Sequence, residues 1–417
     1  VNPPYNGPSF LPGPPIDRTT WEGWRRWCDT RRAFIPAPVL SAAEFALKSP
    51  RQQRLYNLHR LATHSSLPID VTPMSERVAH AVLARVEDGA FSHKACTRGG
   101  IMVNGDGAQG KTETVCEALA VFEETWMALN NYMNPDAMPG TRDLVAPVAY
   151  VRCPVKATPI STCQRILDFY GEDYKGMRLE DLVRTVKTAI VEHATRALVI
   201  DDITRLKLHR EADQDVLDLI REMMSMPVTL ILVGVGIPTS GLLREGRRDP
   251  KTLEWIYQPI KDRGRSPNDH AASQHERRFQ IVDLDPFRYT AGPEMAAWMD
   301  HLARMEGHLR LLNDTKGMLT GDDMPEYLFD RTGGVVGVLE KLIQHGCRRA
   351  IEDKSERLTK ELFNQFTVTP GDMPDLDAES GEQPKIPPHK PTPGKKKPKG
   401  RNTVFDDDGP AAAGETG

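Results

Sequence analysis

Apolar residues change their spacing several times along this chain, and each change predicts an element. Short apolar runs bounded by turn residues read as strands at 100–104, 145–151, 197–200, 228–235 and 280–284. Stretches of helical period lie between them, at 111–129, at about 179–195 and at 213–226. A further helix is capped by Thr158 with Pro159 at its first position, where the missing N–H of proline costs no hydrogen bond. Alternation of this kind predicts an α/β fold in which helices cover both faces of a parallel sheet.

Outside this block the pattern is different. Residues 1–17 hold Pro3, Pro4, Pro8, Pro12, Pro14 and Pro15 among Gly and Asn, which predicts a flexible arm. Residues 18–98 predict an N-terminal helical region. Its first helix begins at Thr19 with Glu22 completing a capping box, and Trp21, Trp24 and Trp27 recur at intervals of three. That stripe is either a buried face or a docking helix, flanked by Arg25, Arg26, Arg31 and Arg32. Helical runs at 50–64 and 74–88 follow, joined by the Pro-punctuated SSLPIDVTP. The core is expected over 99–286, a helical lid over 287–366 and a disordered tail over 367–417. Within the core, the polar segment 241–275 exceeds an ordinary connection and reads as a working loop or a partly disordered one. In the tail, Lys395, Lys396, Lys397, Lys399 and Arg401 form either a phosphate-backbone contact or a solvated cluster.

Composition narrows the class. With 417 residues, 39% hydrophobic and 27% charged, the chain can hold more than one cooperative unit and has an ordinary globular balance. A net charge of -4 and a pI near 6.3 do not point to nucleic acid by themselves, because charges in separate regions cancel. Six cysteines without a CxxC pair read as reduced packing residues. No run approaches the roughly eighteen apolar residues of a membrane helix, and the start lacks a signal-peptide core, so a cytoplasmic location with no membrane partner is expected.

The chemistry concentrates in one motif. Gly105, Asp106, Gly107, Ala108, Gln109, Gly110, Lys111 and Thr112 spell GxxxxGK[ST] between a predicted strand and a predicted helix, with Glu113 next in the first turn. Glycines there let backbone N–H groups turn towards a β-phosphate, the helix N-terminus adds partial positive charge, and Lys111 can bridge β- and γ-oxygens. The Thr112 hydroxyl can ligate Mg²⁺. The motif therefore predicts ATP and Mg²⁺ as cofactors. A second requirement is an apolar strand ending in a carboxylate, and Ala-Leu-Val-Ile-Asp-Asp at 197–202 supplies it. Asp201 is the metal candidate, and Asp202 stands where a carboxylate would polarise the attacking water. Arg277 and Arg278, ahead of the last strand, are catalytic candidates acting on a neighbouring subunit's γ-phosphate.

The ordered set of P-loop, Asp201-Asp202, strand 228–235, Arg277-Arg278-Phe279 and helical lid resembles the AAA+ ATPases. Within them, RLYNLHRLATHSSLPIDVTPM (Arg54 to Met74), ahead of GIMVNGDGAQGKT, is similar to the TniB family of transposition ATPases related to TnsC. The likeness covers roughly residues 50–350 and includes the lid sequence from Arg331 to Leu339. It implies a P-loop AAA+ fold and a homo-oligomeric ring or helical filament on double-stranded DNA. The implied partners are a DDE transposase and a TniQ-type adaptor. It also implies DNA contacts after the second strand, at Lys156 and Thr158, and around the Asp201 strand, at Arg205, Lys207 and Arg210. Thr158 has a rival role as a helix cap. Two positions depart from the AAA+ pattern: Gly234-Val235-Gly236 lacks a polar sensor, with Thr239 and Ser240 just beyond, and Arg331 is the nearest candidate for the lid arginine. These departures point to slow, regulatory hydrolysis. The alternative to an ATP-gated transposition regulator is a P-loop switch of a signalling or defence system that acts through protein partners without DNA.

Overall fold

The computed structural model describes residues 10–11, 13–14, 16–68, 70–94, 98–136, 144–154, 157–205, 214–240, 246–249, 255–257, 278–290 and 292–367. These lie in the first of two compact units, Val1–Pro384; the second, Lys385–Gly417, falls outside them, and so does the Lys-rich run of the tail.

Five parallel strands form the central sheet: β1 (Gly100–Asn104), β2 (Val148–Arg152), β3 (Ala197–Asp201), β4 (Thr229–Gly234) and β7 (Phe279–Asp283), in the order β2-β3-β4-β1-β7. Every residue of β1, β3 and β4 is buried, as a parallel sheet covered on both faces requires. The covering helices include α4 (Pro73–Ala90), α5 (Lys111–Met133), α6 (Pro159–Tyr170), α7 (Leu179–Glu192) and α8 (Gln214–Met224). All five strands run the same way, so the carboxyl ends of β1, β3 and β4 share one edge, where the residues after β1 meet the end of β3. The fold is that of an AAA+ P-loop NTPase.

The N-terminal helix α1 (Trp21–Thr30) packs on this core. Trp24 is fully buried, and Trp21 and Trp27 pack beside it, so the aromatic stripe is a buried face. Its cap is Thr20, not Thr19: the Asp17 carboxylate takes both the N–H and the hydroxyl of Thr19, which leaves the Thr20 oxygen to accept from Gly23.

A short helix, α2 (Ala42–Ala46), leads into α3 (Pro50–Ser65), which buries an unusually polar face: His59, Arg60, Thr63 and His64. Each meets a partner. Arg60 forks onto Glu356 at 2.7 and 3.0 Å, His64 Nε2 accepts from the Arg310 N–H, and Thr63 Oγ1 accepts from the Ala37 N–H. Arg310 and Glu356 stand next to Leu309, Leu311 and Leu358 of a second apolar cluster, to which α9 (Pro293–His308), α10 (Met324–Thr332), α11 (Val336–Glu352) and α12 (Lys360–Phe363) contribute. Leu67 joins that cluster, so the stretch from His59 to Leu67 fastens the N-terminal region to the helical lid.

The polar segment after β4 contains a short antiparallel pair, β5 (Gly246–Arg248) with β6 (Trp255–Tyr257), which neither alternation nor a turn signal announces. Cys28, Cys116, Cys153, Cys163 and Cys347 are free thiols. Among the described residues no helix is long and apolar enough to cross a membrane.

Candidate functional site

The chain leaves β1 at Asn104 and turns through 105–110 into α5. A Cβ on Gly105 would lie 2.6 Å from the Leu284 carbonyl oxygen, so only glycine passes there. Gly110 has φ 83°, the left-handed region that glycine enters without steric cost. It is also the N-cap of α5, and no side chain caps that helix. The first-turn N–H groups of a 23-residue helix thus face the turn without an internal acceptor, which is the physical basis of an anion site.

Lys111 opens the helix. Its ammonium donates to the Asp106 carbonyl oxygen, and only 9% of the residue is exposed. Burial lowers its pKa, while the charges of Asp106, Asp201 and Asp202 oppose the shift. Gln109, also buried, has both amide atoms without a partner among the described residues. Ala108 carries φ 60°, and its carbonyl accepts from the Gly337 N–H at 2.9 Å, which ties the first turn of α11 to the phosphate turn.

At the end of β3, Asp201 is 3% exposed and collects three donors. Its Oδ2 accepts from Thr112 Oγ1 at 2.8 Å and from the Tyr150 hydroxyl at 2.7 Å, and its Oδ1 accepts from the Asp202 N–H at 2.8 Å. The Thr112 hydroxyl donates its hydrogen bond to Asp201, so the lone pairs of its oxygen stay available to a cation. Among the described residues no three His, Cys, Asp or Glu side chains cluster as a metal cage. One carboxylate and one hydroxyl suit Mg²⁺, which keeps waters and takes phosphate oxygens for the rest of its shell. The residues present therefore fit Mg-ATP. Asp202 has φ 55°, which aspartate tolerates, and its carboxylate faces Arg152 at 3.8 Å.

Three residues that no motif marks brace the residues of this site. Asn104 donates from Nδ2 to Asp283 at 2.6 Å and accepts at Oδ1 from the Ile237 N–H at 3.0 Å, joining the ends of β1, β4 and β7. Tyr150 holds Asp201, and both burial and that carboxylate raise its phenol pKa, keeping it a donor. Arg18 forks onto Glu113, one residue past Thr112, at 2.9 and 2.7 Å. Burial opposes its charge, but the bond to Glu113 leaves its pKa above the ordinary value.

Beside the first turns of α5 lies a cavity of about 720 Å³, in the usual range for a small-molecule site. Leu67, Val71, Ala79, Leu83 and Thr114 line it, with Arg31 and Arg310 among its charged residues. None of residues 105–112 lines it.

Residues 95–237 match the family model described as an AAA domain. The chain contains an AAA domain. The phosphate turn, Thr112 and Asp201 all lie inside the matched AAA segment, and the lid helices lie beyond it. No curated protein matches the chain in sequence. Among solved structures, the Orc1 protein of Aeropyrum pernix in complex with DNA is 14% identical, with a TM-score of 0.49 over 73% of this chain and 68% of that one. Domain III of the replication initiation protein DnaA of Thermotoga maritima is 12% identical, at 0.37 over 71% and 92%. The Drosophila origin recognition complex bound to DNA is 15% identical, at 0.35 over 75% and 72%.

Other candidates stand apart from the AAA site. Arg278 is exposed and precedes β7 at the amino-terminal edge of the sheet; one strand of five residues, roughly 16 Å, separates that edge from the phosphate turn. Within one subunit it does not meet the site. Arg277, Lys156, Lys207 and Arg210 lie outside the described residues, and Arg205 is described only as backbone in the turn Ile203–Arg205. The Thr158 hydroxyl accepts from the Ser161 N–H at 3.1 Å as the N-cap of α6. Arg331 is bound to Asn364, the Phe366 carbonyl and Tyr327 within the lid, while Thr239 and Ser240 donate to the carbonyls of Gly236 and Ile237 in their own turn.

Proposed function

We propose that this protein is an ATP-dependent AAA+ regulator of transposition that assembles on double-stranded DNA and recruits or activates a DDE transposase. The observation that carries the nucleotide part is the meeting of Thr112 with Asp201 beside buried Lys111, at the uncapped start of α5. In this reading residues 105–110 wrap the β-phosphate, Lys111 bridges β- and γ-oxygens, and the nucleoside extends past Thr114 into the adjoining cavity. Thr112 and Asp201 would hold Mg²⁺, whose charge would offset that developing on the phosphoryl oxygens. Asp202 would orient the attacking water, and Arg277 or Arg278 of a neighbouring subunit would complete the site. Hydrolysis is slow and regulatory in this reading, because Gly234-Val235-Gly236 offers no polar sensor and Arg331 is held within the lid by Tyr327, Asn364 and the Phe366 carbonyl.

The DNA part rests on the resemblance of Arg54 to Met74, and of the lid sequence, to the TniB family. Lys156, Thr158, Arg205, Lys207 and Arg210 are the proposed backbone contacts, with a TniQ-type adaptor as a further partner. Fluorescence anisotropy with labelled duplex DNA, run with ATP, ADP or no nucleotide across a salt series, tests this. Binding should tighten with ATP, fall steeply with salt and show little base preference, because phosphate contacts carry charge but no sequence. DNA affinity and assembly state both indifferent to ATP would sink the proposal. ATP-dependent capture of a protein, unaffected by nuclease, would instead support the signalling or defence switch.

A further inference from the structure

The segment from Asp17 to Arg31 reaches the candidate nucleotide site at several points. Tyr150 and Asp201 share a sheet face: Tyr150 pairs with Val199, and Val199 and Asp201, two apart on one strand, point the same way. The Tyr150 ring is 1% exposed. The N-terminal segment meets it twice, with the Trp24 indole at 6.2 Å and 18° and the Arg18 guanidinium 5.6 Å from its centroid. Arg18 also lies 5.0 Å from the Trp27 ring while it forks onto Glu113. Trp24 is anchored in turn, its Nε1 donating to the buried Glu123 at 2.8 Å, and Arg25 donates to the Val145 carbonyl ahead of β2. One short helix therefore touches α5 and β2 together, and these carry Thr112 and the hydroxyl that fixes Asp201.

We propose that residues 17–31 form a positioning strap, in which Arg18 and Trp24 seat Tyr150 so that its hydroxyl holds Asp201 towards Thr112, and that docking of this strap sets the Mg²⁺ requirement of nucleotide binding. The proposal rests on the nucleotide reading above. Without the Tyr150 hydroxyl, Oδ2 of Asp201 loses one of its two side-chain donors, and the carboxylate can turn away from Thr112. A 10-residue helix is marginal alone in water, so α1 is ordered by this seat, and a partner that lifts it would loosen the metal side of the site. Tyr150, Arg18 and Trp24 are positioning residues, since the contacts to the cofactor are made by others.

The test uses the full chain and a fluorescent ATP analogue, titrated once with EDTA and once across a Mg²⁺ series. Tyr150→Phe keeps the ring and removes the hydroxyl, and Arg18→Gln shortens the side chain and removes both the fork onto Glu113 and the guanidinium beside Tyr150. Both should leave the EDTA affinity within about twofold and move the Mg²⁺ midpoint up by about tenfold. The double variant should move it no further than Tyr150→Phe alone, because the two changes break one chain of contacts. A Mg²⁺ midpoint unchanged in both variants, or additive shifts, would overturn the strap while leaving nucleotide binding intact. Absence of nucleotide binding by the unmutated protein would instead remove the reading beneath it. Loss of EDTA affinity in parallel with the Mg²⁺ shift would show general loosening of the fold and would also overturn the proposal.

Discussion

Glu123 shows how a single buried carboxyl shapes the N-terminal end of the molecule. Burial pushes its pKa up to about 7, against the Trp24 indole N–H, the charge of Arg25 and a backbone bond from Val148, with Asp29 adding to the rise. An acid whose folded pKa exceeds its unfolded value holds its proton more firmly when folded. Its contribution to stability is therefore greatest below about pH 4.5 and declines as pH rises towards 7. Glu123→Gln mimics the protonated form and keeps an acceptor for Trp24. Urea melts should find it more stable than the parent at pH 8, by about 1–3 kcal/mol, with the gap closing towards pH 4.5. A gap that is constant with pH would show that Glu123 does not titrate in this window. Asp202 makes a second prediction at this scale: if the proposed function holds, Asp202→Asn should bind ATP normally and lengthen the lifetime of the proposed assembly on DNA, read as a slower anisotropy decay after ATP is diluted away. Asn104, Tyr150 and Arg18 were not legible in the sequence. A tyrosine in an apolar strand looks like any strand former, and an arginine 95 positions before its partner has no local signature.

At the scale of elements, the runs that decide the fold were readable because they are strongly patterned. The strand Gly100–Asn104 and the Thr158–Pro159 start of α6 fall where apolar content and capping chemistry put them. What escaped was set by competition between neighbours or by tertiary pairing. Thr19 lost the cap to Thr20 because Asp17 intervened, and β5 and β6 pair inside a segment whose composition reads as loop. The stretch from Arg54 to Met74, on which the proposed DNA role rests, includes the junction of α3 with the lid, with His59, Arg60, Thr63 and His64 all buried. Its energetics differ from those of the strap. Arg60 and Glu356 are nearly sealed from solvent, with side chains 1% and 11% exposed, so Arg60→Met would leave a buried carboxylate unpaired. That should cost about 3–5 kcal/mol in a denaturant melt. Arg31 meets Glu117 and Glu124, which are 32% and 55% exposed, and Glu124→Gln should cost less than about 1 kcal/mol. Equal losses in the two variants would contradict this ranking.

At the scale of the whole molecule, the lid is tied to the phosphate turn by the Ala108–Gly337 bond and to the N-terminal region by the α3 junction, so all three share a frame. Acid should loosen that frame. Burial lowers the pKa of His64 to about 3 and of His301 to about 4, below their ordinary 6.5. Folded histidines that resist protonation give stability that is present above pH 6.5 and lost as pH falls towards 4, so thermal melting should drop across that interval. In the Glu123→Gln background, which removes the opposing contribution of that carboxyl, a melting temperature flat from pH 7 to 4 would contradict the buried neutral histidines. The central claim, a phosphate-binding turn completed by a metal-holding carboxylate, is met most directly by calorimetric titration of Mg-ATP into the unmutated chain and into Lys111→Ala. Saturable binding by the first, weakened at least about a hundredfold in the second, is the expected result; equal affinity in the two proteins would contradict the account.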